Sequence, residues 1–277
     1  MKRQEPSWGT SDMCEDKSSA EELATEALEQ GAALESPVAV VRGLARRLAV
    51  FCDSARDLSR STTTPHTARE ALTRAFGTSL LDMSWTLATM LVVSPARTHV
   101  TCLTMWRPLY ERWLRMGYFV ACASDSEIAD FSLTGALPKS RTERNKKGEP
   151  RPMSARELSS AVSAEIPLLR QKFEELEGEF NKIWSDMVHG GIHLVRLHDA
   201  EREYESTAGS GIVIELIYRV AMVTTITTSY IAMQASNEEN SARAAAFKAL
   251  DAEVTELLRD CHKRAADPNL LLRAASA

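Results

Sequence analysis

Residues 67–93 read TAREALTRAFGTSLLDMSWTLATMLVV. Leu72, Phe76, Leu80, Met83, Leu87 and Leu91 recur every three or four positions, the repeat of one face of an α-helix. Ser94-Pro95 closes the stretch, because proline has no N–H to continue the ladder. Residues 211–233, GIVIELIYRVAMVTTITTSYIAM, are as apolar but carry Glu215 and Arg219 one turn apart. Charges in mid-span are costly in a bilayer, so this stretch is read as a buried core helix with no membrane involved. Two such helices, over residues 70–93 and 212–235, predict the centre of an all-α bundle.

The rest of the chain extends outward from that pair. Residues 1–18 are polar and are expected to form a disordered tail, and residues 266–277 a flexible tail at the other end. A helix is expected over residues 19–31, with Glu21 and Glu22 suited to its N-terminal dipole. Another runs from Pro37 to Arg60, with Val40, Val41, Leu44, Leu48 and Phe51 at helical spacing. A helix over residues 97–122 contains Pro108, which predicts a kink or break near Arg107. Ser124 with Glu127 predicts a capped short helix ending near Phe131. Residues 133–152 show no apolar period and read as an exposed loop, with six basic residues facing two acidic ones within residues 139–151. Helices over residues 154–180, 181–197, 212–235 and 241–264 complete a single bundle domain of about eight helices, residues 19–265.

Composition narrows the function classes. Among the 277 residues, glycine (12) and proline (10) are sparse, and the net charge of −5 argues against a protein that coats nucleic acid over its whole surface. The five cysteines (Cys14, Cys52, Cys102, Cys122 and Cys261) form no CxxC pair, which argues against a zinc ribbon or disulfide framework and for a reducing compartment. No signal-peptide core precedes the first helix, so a cytoplasmic location is expected. Glycine-rich phosphate loops and solenoid repeats are absent from the sequence. The Ala- and Leu-rich last helix is a reasonable interface for a homodimer.

Two segments depart from ordinary amphipathic patterning. TMWRPLYERWLRMGYF, residues 104–119, places Arg107, Glu111 and Arg115 on one helix face beside Trp106, Tyr110 and Trp113. FNKIWSDMVHGGIHLVRLHD, residues 180–199, sets Asp186, His189, His193 and Arg196 close together next to a stripe containing Trp184. Its Gly190-Gly191 pair is unfavourable in a helix by about 1 kcal/mol per residue, which suits a kink or close approach just after His189.

These segments carry a resemblance. RPLYERWLRMGYFVACASDSEIADF, followed downstream by WSDMVHGGIHLVR, looks like a group of bacterial all-α proteins sharing an R-x-L-x-E helix and a W-x-x-x-x-H-G segment. That group resembles the HEPN superfamily, helical-bundle proteins of toxin–antitoxin and phage-defence systems. The similarity spans residues 104–131 and 180–198 and implies a HEPN-like bundle. HEPN ribonucleases share an arginine followed four to six residues later by a histidine on one helix. Here Arg60 and His66 have that spacing across an expected turn, and the other combination, His189 then Arg196, runs in the reverse order.

Three readings of the constellation follow. In the first, Arg107, Glu111, Asp186 and His189 form a polar network in a protein that binds a nucleotide, an RNA or a partner protein. Tyr110, Trp184, His193 and Arg196 would line the same site, and no cofactor is expected. The second is metal-independent RNA cleavage, with His189 or His193 as general acid–base and Arg107 or Arg196 stabilising the phosphorane charge. The third is a metal held by His189 and His193 with Glu111 or Asp186. Catalytic roles under the second reading would fall to His189, Arg107 and Glu111. His66, His99 and His262 stand alone and read as surface or capping residues.

Overall fold

Thr67 begins the central helix with two reciprocal hydrogen bonds. Its hydroxyl accepts from the Glu70 N–H at 3.1 Å, and the Glu70 carboxylate accepts from the Thr67 N–H at 3.4 Å. The helix runs over Ala68–Val93 and ends at Ser94, before the proline that cannot extend it. The computed structural model describes residues 36–60, 65, 67–177, 207–234 and 241–265, and these are mostly helical. The all-α class therefore stands. In chain order, α1 is Pro37–Arg60, α2 is Ala68–Val93, α3 is Pro95–Ala121 and α4 is Asp125–Thr134. Strands β1 (Lys139–Arg144) and β2 (Pro150–Pro152) follow, then α5 (Ala155–Glu165), α6 (Arg170–Glu177), α7 (Thr207–Gln234) and α8 (Ser241–Ala265). The helices expected over residues 19–31 and 181–197 lie outside the described residues.

The two apolar helices do form the centre. α2 packs on α1 and α3, while α7 packs on α1, α2, α3 and α8. Leu80, Leu87 and Leu91 of α2 are buried, as are Val213, Ile217 and Val220 of α7. Where the two helices approach, Gly77 lies under Ile231: a Cβ on Gly77 would sit 2.6 Å from Ile231 Cδ1. One buried polar contact joins them, Thr224 Oγ1 donating to Ser84 Oγ at 3.1 Å. Both helices are long and apolar enough to cross a bilayer, and each packs against other helices, with 67% of the apolar stretch of α7 and 39% of that of α2 buried. On α8, Leu250, Val254, Leu257 and Cys261 turn inward in the same way.

Side chains of α2 also secure its neighbours. Arg69 donates to the carbonyls of Phe119 and Ala123, each at 2.7 Å, where the end of α3 leaves acceptors without helical donors. Arg112 of α3 donates to Ser79 at 2.5 Å.

Three expectations need correction. The helix of residues 97–122 does not break at Pro108 and runs from Pro95 to Ala121. Pro108 is exposed, so the Thr104 carbonyl that loses its donor lies near solvent rather than in the core. The helix expected over residues 154–180 is interrupted: Pro167 forces Ile166 to an extended ψ of 79°, and a short 3-10 turn, Pro167–Leu169, precedes α6. Finally, residues 139–152 are not a plain loop but an antiparallel hairpin with a register irregularity.

The base of this hairpin is held by Glu157, the third residue of α5. Ser140 Oγ donates to one carboxylate oxygen at 2.5 Å, while the Ser154 N–H and hydroxyl donate to the other at 2.8 Å. Arg151 adds an ion pair at 2.9 Å. These donors, that of Ser140 foremost, hold the Glu157 carboxyl down at about 2. A free glutamate titrates near about 4.3, so the contribution of Glu157 to stability should be complete above about pH 5 and fade as the pH falls toward 2. Denaturant unfolding between pH 6 and pH 3 should therefore show a shallower acid loss in Glu157→Gln than in the wild type. Parallel pH profiles would remove Glu157 as a source of acid sensitivity.

Candidate functional site

Spacing by four places Arg107, Glu111 and Arg115 in a row along α3. Arg107 Nε donates to Glu111 Oε1 at 2.7 Å, and Arg115 Nη2 approaches Glu111 Oε2 at 3.4 Å. The three side chains are only 25%, 33% and 33% exposed. Two guanidiniums thus share one carboxylate, which leaves one positive charge in excess on a half-buried surface. Behind this row Trp106, Tyr110 and Trp113 are buried, with successive ring centroids 5.6 and 6.0 Å apart. The aromatic residues fill the core while the charges ride on the same helix. That division follows from α3 having one face in the core and the next one against solvent.

A second ion pair meets this wall from α7. Arg219 Nε donates to Glu215 Oε1 at 2.8 Å, and the Arg219 side chain is only 7% exposed. Its guanidinium carbon lies 5.9 Å from the centroid of the Trp106 ring, within range of a cation–π attraction. A buried charge of this kind needs such partners, because desolvation is costly. Next to the pair is a cleft of about 330 Å³ lined by Glu215, Tyr218, Arg219, Met222, Cys261 and His262. The sequence showed Glu215 and Arg219 as an i, i+4 pair in an apolar helix. Their apposition to Trp106 depends on how α3 and α7 cross.

The profile of a protein family described as a family of unknown function, DUF6988, matches residues 83–256. The chain belongs to this family. No curated protein and no solved structure matches the chain. The DUF6988 span covers both ion pairs, the aromatic wall and the hairpin.

Within that span the structure brings together part of the expected constellation. Arg107 and Glu111 are bonded, and Tyr110 is buried directly beside them on the same helix. Trp184, Asp186, His189, His193 and Arg196 lie outside the described residues. Among the described residues no group of three or more His, Cys, Asp or Glu side chains could hold a metal ion. His99 places Nδ1 3.1 Å from the Ala96 carbonyl oxygen of its own helix, and His262 is exposed on α8. Burial pushes the thiols of Cys52 and Cys261 up to about 12, and those of Cys102 and Cys122 up to about 11. At neutral pH these four remain thiols, poor nucleophiles compared with thiolates.

Proposed function

We propose that this chain is an intracellular, HEPN-like binding protein that receives the phosphate of a nucleotide or RNA on the Arg107–Glu111–Arg115 row. The observation that supports this reading is the charge count on α3: two arginines to one glutamate, partly shielded from water, in front of an aromatic wall. Guanidinium forks match phosphate oxygens, and partial burial strengthens such contacts. Glu111 holds Arg107 and Arg115 in place and keeps the apo surface from carrying two unopposed charges. The toxin–antitoxin or phage-defence setting implied by the HEPN resemblance is consistent with a nucleotide or RNA ligand. Cleavage through His189 is the alternative, and it would add chemistry to the same binding step.

Fluorescence polarisation with labelled RNA, and competition by ATP and inorganic phosphate, tests the reading. Arg107→Ala should weaken binding about tenfold, the equivalent of about 1.4 kcal/mol, while thermal unfolding shifts little. Glu111→Gln removes the competing carboxylate and should bind at least as tightly as the wild type. If Arg107→Ala/Arg115→Ala binds RNA and nucleotides as well as the parent, the assignment fails. Shortened RNA that persists in the presence of chelator would convert the reading from binding to hydrolysis.

A further inference from the structure

The hairpin presents charge in an unusual distribution for so acidic a chain. Residues 139–151 hold six basic and two acidic side chains, whereas the whole chain carries a net −5. The acidic groups around the hairpin are engaged internally. Glu143 pairs with Arg151, Glu149 accepts from Asn145 Nδ2 at 3.0 Å, and Glu157 anchors the base. In contrast, Lys139, Lys146 and Lys147 are exposed, and no ion pair among the described residues includes them. Arg144, also exposed, donates to the Gly148 carbonyl at 3.3 Å, which keeps its guanidinium over the turn.

The tip is built to hold this display. Asn145 Oδ1 accepts from the N–H groups of Lys147 at 2.9 Å and Glu149 at 3.0 Å. The Asn145 N–H donates to the Glu149 carbonyl at 2.8 Å, and the Gly148 N–H to the Asn145 carbonyl at 2.9 Å. Gly148 has a φ of +80°, a conformation that a side chain would strain. Lys146 and Lys147 therefore sit on an ordered turn, so less backbone freedom is lost when they engage a partner. Residues 139–149 contain no aromatic or aliphatic side chain. A membrane-inserting tip needs such anchors, and a protein interface takes most of its affinity from aromatic and arginine anchors seated in pockets, whereas Arg144 is exposed and held over the turn. A regularly charged polyanion needs none.

We infer that the β1–β2 hairpin, through Arg144, Lys146 and Lys147 at its tip and Lys139 at its base, is a docking surface for the phosphodiester backbone of nucleic acid. It contacts phosphates rather than base edges, since Asn145 is taken up by the turn through both ends of its side-chain amide and Arg144 is tied to the Gly148 carbonyl. This inference does not rest on the role assigned to Arg107.

The test is the salt dependence of binding by the full chain to labelled single-stranded RNA, double-stranded RNA and double-stranded DNA of equal length. Each neutralised phosphate contributes a slope of about −0.7 to −0.9 in a plot of log K against log salt. Lys146→Ala/Lys147→Ala should weaken binding more than tenfold at low salt and reduce that slope by about 1.4 to 1.8. Both positions are exposed on a turn, so circular dichroism and melting temperature should not move. Arg107→Ala, assayed in parallel, should leave the slope change caused by the hairpin intact. The three nucleic-acid arms tell which backbone geometry is favoured. An unaltered slope in the double variant overturns the inference. So does binding to polyglutamate or to anionic vesicles that is as tight and as dependent on Lys146 and Lys147.

Discussion

Trp113→Ala should lower the stability of the fold by about 3–5 kcal/mol, the range for deleting a large buried aromatic side chain. Trp113 is 1% exposed, and its ring centroid lies 5.0 Å from that of Phe173 and 6.0 Å from that of Tyr110. Removing it opens a cavity between α3 and α6, and it takes away one wall of the stack that backs Arg107 and Glu111. A fold of this size is usually stable by about 5–15 kcal/mol, so the loss is a large share of the total. The indole Nε1 adds a diagnostic contrast. It is buried and makes no hydrogen bond among the described residues. Trp113→Phe would therefore give up volume but also eliminate a desolvated donor, a liability of about 1–3 kcal/mol. Urea unfolding should rank wild type and Trp113→Phe close together, with Trp113→Ala far below. An alanine variant within about 1 kcal/mol of the wild type would contradict the packing described for α3.

Gly77→Leu should be the next most damaging change, at about 3 kcal/mol, the upper part of the range for overpacking. The first atom of any side chain would meet Ile231 Cδ1 at 2.6 Å and Thr227 Cγ2 at 3.5 Å. Alanine is a different case. The offending atom is the end of a rotatable side chain, and alanine recovers about 1 kcal/mol of helix propensity over glycine. Gly77→Ala should thus fall within about 1 kcal/mol of the wild type. Combining Gly77→Leu with Ile231→Ala supplies the missing room, and the double variant should be more stable than the sum of the two losses predicts by at least about 1 kcal/mol. Strict additivity would show that α2 and α7 do not meet at this point.

The helices were legible wherever the determinants were local. Thr67 with Glu70, Ser124 with Glu127, and Ser94-Pro95 each act within four residues, and the structure uses all of them. Pro167 was equally visible, but the apolar run around it masked its effect on Ile166. The hairpin could not be found by periodicity, since the KSRTER of β1 has no apolar residue to alternate. Asn145 and Gly148, bracketing the turn, were the usable signal. At the candidate site, the Arg107–Glu111 bond follows from spacing alone. The seating of Arg219 over Trp106 does not, because it joins residues more than a hundred positions apart through a helix crossing. The expected approach of residues 184–196 to this row falls outside the described residues.

The sequence of β2 has one more effect, on self-assembly. Of Pro150, Arg151 and Pro152, only the arginine has a backbone N–H. A foreign strand trying to lengthen the sheet along that border would find at most one donor, and the register irregularity in β1 further spoils a continuous template. Among the described residues β1 and β2 are the one strand pair, and the prolines of β2 keep its border from seeding fibrils.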